Sequence, residues 1–222
     1  KRQGASIQLI NNALSNKHGQ NWSFDKSPTP GNINEDFSDD IAPFILDVEH
    51  SPPVPNSEQS VLITAKIKGI ENSSYNAHLY WRVSSLDSVP FNKIKMFDDG
   101  SNGDIESNDD IFSAVIPPQE DGSVIEFYIN STNGVLTRKW PNFGNLDDGP
   151  CALFQFDDNI YSGNQPVYRL VMSIREDRDF RFRNFNSGSD AQKNATLIVR
   201  QGDDYDIRYQ CGVSCLLYTS PS

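Results

Sequence analysis

From Phe44 to Trp140 apolar and polar residues alternate in short runs, and turn-forming residues separate the runs. That period of two is the pattern of strands with one buried face. FILDVEHS is ended by Pro52-Pro53, and VLITAKIKG places Val61, Ile63, Ala65 and Ile67 on one side. AHLYWRV places Leu79, Trp81 and Val83 on one side and Tyr80 and Arg82 on the other; PFNKIKMF, IFSAVIP, VIEFYIN and VLTRKW follow. STNG, between the last two, offers Gly134 for a hairpin turn. Seven short strands within about a hundred residues predict an antiparallel β-sandwich of immunoglobulin or fibronectin type III kind. The expected span is 43–141, with the core complete inside it and Trp81 buried on the third strand.

The flanks follow other patterns. Within 1–34, SIQLI and NWSF form two short strands, and SPTPGN marks an exit turn. Residues 35–42 form an acidic linker. Residues 142–165 read as a connector around ALFQF, with Phe154, Phe156 and Tyr161 packing between domains and Asp157-Asp158 solvated. In 166–214, PVYRLVM is a strand and SIREDRDFRFRNF a helix capped by Ser173, with Glu176 as its capping-box partner. NATLIVRQ and YDIRYQCGV then form a hairpin about GDD, with Arg200 and Arg208 on exposed faces of its two strands. The expected fold class is mainly β: an antiparallel immunoglobulin-like sandwich between an N-terminal β remnant and a truncated α+β start.

Four stretches resemble known families. ASIQLINNALSNKHGQNWSFDKSPTPGNIN resembles the closing segment of bacterial lamin-tail domains. VLITAKI, HLYWRV, MFDDGSNGDIESNDDIF, AVIPPQ and VIEFYI occur in the order of a bacterial β module that precedes a kinase-like domain of the spore-coat CotH type. ALFQF resembles the joint before that domain, and PVYRL…NATLIVRQGDDYDIRYQCGV resembles its opening. Asp110 stands where the family prefers Gly. The resemblance implies a secreted or surface-located bacterial multidomain protein whose intact kinase domain would use ATP and a divalent metal. The family's catalytic Lys, Asp and Asn positions come after the matched stretch, so no catalytic residue is carried over. CLLYTSPS, 215–222, resembles translated sequencing adapter and is excluded from fold reasoning, as a sequence that breaks off a longer reading frame.

The 222 residues carry a net charge of −11, concentrated before residue 166. Such a surface argues against nucleic acid or anionic membrane as partners, and fits an unidentified protein or cell-surface partner and a monomeric chain. An aromatic share of 11% is too rich for a disordered chain, and no apolar run has the length of a membrane span. Cys151, Cys211 and Cys215 form neither a disulfide framework nor a zinc pattern. There is no phosphate-binding G-x-x-x-x-G-K-[ST] loop and no G-x-S-x-G elbow. The histidines are His18, His50 and His78, with His78 on an outward strand face.

The candidate chemistry lies in Met96–Phe112, an acidic, glycine-punctuated crossing between two strands. Calcium takes six to eight oxygens on a loop that turns sharply. Asp98, Asn102, Asp104, Glu106 and Asp109 fall at positions 1, 5, 7, 9 and 12 of a calcium-loop spacing, with Gly103 at the position that needs glycine. Position 3 is Gly100, and position 12 is the shorter Asp, so the match is partial. An ordinary solvated crossing, its Asp and Asn making local turns, is the alternative.

Overall fold

The computed structural model describes residues 5–25, 29–70, 74–142, 149–159, 161, 163–181 and 192–214. The chain is mainly β, and all its strand pairs are antiparallel. A ribbon of β1 (Ser6–Leu9) and β2 (Trp22–Asp25) comes first. The sandwich has one sheet ordered β3 (Phe44–Ser51), β4 (Val61–Lys68), β7 (Ile111–Ile116). Its second sheet runs β6 (Asn92–Met96), β5 (Asn76–Val83), β8 (Val124–Thr132). Beyond β8 lie both β9 (Thr137–Trp140) and β10 (Ala152–Gln155). This order is that of immunoglobulin-like sandwiches. A last sheet of β11 (Val167–Met172), β12 (Lys193–Gln201) and β13 (Asp204–Val213) follows, with an α-helix, α1 (Ile174–Arg181), after β11.

The alternation read from the sequence is the alternation of burial. Val61, Ile63, Ala65 and Ile67 are fully buried, and so are Leu79, Phe127 and Ile129 on the facing sheet; Trp81 is buried with them. Gly134, at positive φ, turns β8 into β9. Gln20 closes one edge: its side-chain amide donates to the carbonyl of Ile45 at 2.7 Å and accepts its N–H at 3.0 Å. The amide thus occupies the edge of β3 that would otherwise be open to another strand.

The core does not end at residue 141. β9 pairs with Ile129–Thr132 and β10 with Val124–Phe127, along the same edge of β8 and in the same direction. The two are halves of one edge strand, and Tyr128 of β8 lies between their registers. The connector expected over 142–165 therefore contains a strand of the sandwich. Ala152, Phe154 and Phe156 are fully buried in the same core as Phe127 and Trp81. Phe154 and Phe156 thus belong to the sandwich rather than to a joint between domains, and Tyr161 is 43% exposed.

Leu153 makes the joint. It points away from Phe154, as neighbours on a strand must, and packs against Val171 of β11 and Ile198 of β12. Polar contacts reinforce the contact. Leu153 N–H donates to Thr196 Oγ1, Asn194 Nδ2 to the carbonyl of Cys151, and Ile174 N–H to Ser84 Oγ. Asp157 pairs with Arg169 at 2.6 Å, and Asp158 accepts the N–H and hydroxyl of Ser57. The Asp157-Asp158 pair is thus engaged on both sides of the junction. Glu176 N–H donates to Ser173 Oγ, as a helix cap requires, while the Glu176 carboxylate accepts the backbone N–H of Asn194. The part of the expected helix beyond Arg181 lies outside the described residues.

Candidate functional site

The acidic crossing joins β6, on one sheet, to β7, on the other. Phe97 and Ser113 exchange two backbone hydrogen bonds, of 2.9 and 2.8 Å, and clamp its ends together. Between them the chain turns repeatedly through positive φ, at Gly100, Asn102, Gly103, Asn108 and Asp110. Gly103 is favoured by its backbone, and Leu62 would have to shift to admit a side chain there. The glycine's φ is +93, and a Cβ there would stand 2.4 Å from Leu62 Cδ1 of β4. Asp110, at φ +70, occupies a conformation that favours glycine.

These turns bring together three of the five predicted ligands. Carboxylate oxygens of Asp98, Asp104 and Asp109 all lie within 4.8 Å of one another. Each carboxylate is fixed by backbone: Asp104 accepts from Gly100 N–H at 2.7 Å, Asp98 from Asp109 N–H at 3.2 Å, and Asp109 from Ile111 N–H at 2.9 Å. Asp104 is only 9% exposed. The Asp98 carboxyl is raised above its ordinary range, by burial first and then by the charge of Asp104, against the pull of neighbouring backbone N–H groups. Glu106 does not join the cluster; it is exposed on the outer part of the loop. Asn102 is also exposed, and its amide donates to Ser101 Oγ at 2.8 Å. The carboxylates of the calcium-loop spacing thus converge at its first, seventh and twelfth positions and not at its ninth.

Three carboxylates held this close repel one another, and a cation among them would relieve the repulsion. They fit a hard divalent ion in donor type: oxygen only, fixed by a rigid backbone. They supply three of the six to eight oxygens that calcium takes, leaving the rest to carbonyls or water.

A second constellation joins residues that sequence reasoning left apart. His50, on β3, is buried and stacks on Phe154 at 4.9 Å. Its Nε2 lies 3.0 Å from the carbonyl of Pro53, so Nε2 carries the proton and Nδ1 accepts the hydroxyl of Tyr209 from β13. Burial holds the imidazole down to about 4 and pushes the Tyr209 phenol well up, with the charge of Glu49 adding to it. The Tyr209 ring also meets Phe127 and Trp140 edge-on.

Arg200 and Arg208 have local partners. Arg200 lies over the Tyr205 ring and donates to the carbonyl of Tyr161, and Arg208 pairs with Asp206 at 2.7 Å. Cys151 and Cys211 are free thiols. No described helix is long and apolar enough to cross a membrane. No family model, curated protein or solved structure matches the chain.

Proposed function

We propose that the chain is a non-catalytic presentation module, a β-sandwich that holds the sheet following it in a fixed position. The observation that carries this reading is β10. One of its faces lies in the sandwich core through Ala152 and Phe154, and the other faces the last sheet through Leu153. A linker meant to let two units swing would not be buried on both sides. With its resemblance to the CotH type, the module would belong to a secreted or surface-located bacterial protein, and the last sheet would open the kinase-like domain. Phosphoryl transfer in such a parent needs ATP phosphates and a divalent metal held by a lysine and carboxylates. The family supplies these from positions after the stretch matched here.

The test uses the full chain. Amides of β8 and β12 should exchange by one cooperative opening, with equal protection, and no ATP turnover should appear above background. Separate openings of the two sheets would refute the fixed-presentation reading, and robust phosphotransfer would refute the non-catalytic one.

A second reading, calcium binding at the crossing, rests on the convergence of Asp98, Asp104 and Asp109. In it the ion would lock the crossing and make an adhesive surface calcium-dependent.

A further inference from the structure

The sheet register sets two rows across the outer face of the five-stranded sheet. One row runs Lys95, His78, Asn130, Lys139, and the next runs Lys93, Tyr80, Tyr128. All point away from the core, because Ala77, Leu79 and Ile129 between them are fully buried. In the second row the rings of Tyr80 and Tyr128 stack at 4.6 Å, 5° from parallel. Lys93 caps the column at one end, 5.6 Å from the Tyr80 ring, and Lys139 at the other, 4.4 Å from the Tyr128 ring. Lys93 and Lys95 are exposed and take part in no ion pair among the described residues. The pKa of His78 is lowered, by burial first and then by the charges of these two lysines. On a chain of net charge −11 this face is locally positive.

The stacking also limits what the face can hold. Each tyrosine presents one face to the other and the second to a lysine, and Phe91 packs against Tyr128 at 4.9 Å, so the phenol hydroxyls and the ammonium groups of Lys93 and Lys95 are what remain on offer. That is a flat array of donors beside an aromatic cluster. β6 ends the sheet, so a peptide strand could pair along its outer edge, but it would then lie beside the sheet and not across the tyrosine column, whereas a polysaccharide bearing carboxylates and hydroxyls would meet lysines and phenols together. We propose that this face binds an anionic polysaccharide of the uronate class, its carboxylates meeting the lysine ammonium groups and its hydroxyls the phenols of Tyr80 and Tyr128. The partner goes beyond the presentation role, which would stand without it.

The test is affinity electrophoresis of the full chain in gels containing polygalacturonate, neutral dextran or poly-glutamate, at about 50 mM salt where exposed charges are weakly screened. Retardation is expected with polygalacturonate and not with dextran. Each exposed lysine–carboxylate contact is worth up to about fivefold. Lys93→Ala with Lys95→Ala should therefore weaken retardation about tenfold, while the charge-matched pair Lys17→Ala with Lys66→Ala leaves it unchanged. Tyr80→Phe with Tyr128→Phe keeps the stack and should weaken binding two- to threefold, as about one modest hydrogen bond would. No retardation, or equal loss in both lysine pairs, overturns the proposal. Equal or stronger retardation by poly-glutamate overturns it in favour of an acidic polypeptide. Self-association of the Lys93/Lys95 variant, with retardation intact, overturns it by making the lysines guards of the β6 edge.

Discussion

Two connections leave the regular strands of the sandwich, and opposite forces hold them. The crossing from β6 to β7 is charged and largely exposed, and it keeps its shape by carboxylates that accept backbone N–H groups and by residues at positive φ. At the other, β10 returns the chain to the sheet that β9 left, and β10 is held by apolar burial on both faces. Charge and backbone conformation dominate the first. Buried apolar volume dominates the second. The crossing is therefore where an ion can act, and β10 is where force passes from one sheet to the next.

The largest test of that contrast is volume removal at β10. Phe154→Ala should cost about 3–5 kcal/mol, as deletion of a fully buried ring does, and a chain shortened to 43–141 should lose cooperative folding with it. Leu153→Ala, one residue away, should instead loosen the last sheet first. Amide exchange should then rise in β12 while β8 stays protected. Matching responses to the two substitutions, or a stable fold for 43–141, would show that β10 is dispensable to the sandwich.

The alternating strands were legible where one face is wetter than the other, as on β4 and β5, which leaves a period of two in the sequence. β10 was not, because it has no wet face. Ala152, Leu153 and Phe154 are all buried, and a short continuous apolar run does not announce its partners. Its separation from β9 by 141–151 hid that the two complete a single edge. At the crossing, composition pointed to carboxylates and calcium-loop spacing named five ligands. Which of them meet depends on where the backbone turns left-handed, and Asn102, Asn108 and Asp110 do so without being glycine. The pairing of His50 with Tyr209 spans 159 positions, so no local pattern records it.

That histidine makes the buried junction sensitive to acid in one direction. The His50 imidazole is held at about 4 against an ordinary 6.5, because burial penalises the charged ring. A folded-state pKa below the unfolded one means stability that is complete above about pH 6.5 and is lost as pH falls toward 4. At 1.36 kcal/mol per pH unit the loss approaches about 3 kcal/mol. Urea midpoints at pH 7 and pH 4 should record it, and His50→Gln should remove most of the difference. A variant that keeps the full difference would assign the acid sensitivity to carboxylates elsewhere.

The smallest expected effect belongs to the crossing, and its sign can be worked out in advance. Asp98 is raised in the folded chain, so at neutral pH its charge opposes folding, and anything that neutralises the cluster should stabilise. Calcium at about ten times its dissociation constant would contribute about 1.4 kcal/mol by mass action, provided that it binds only the folded loop. Asp98→Asn with Asp104→Asn keeps acceptors for the N–H groups of Asp109 and Gly100 while removing two charges. That variant should melt higher than the parent without calcium and should no longer respond to it. Magnesium, which demands an octahedral shell and gives up water reluctantly, should raise the parent's melting temperature less. Leu153→Ala should leave the calcium response intact, since it acts at the other connection. A parent indifferent to millimolar calcium, together with an asparagine variant that melts no higher, would show that the three carboxylates are fully accommodated by their backbone partners and that the crossing is only a turn.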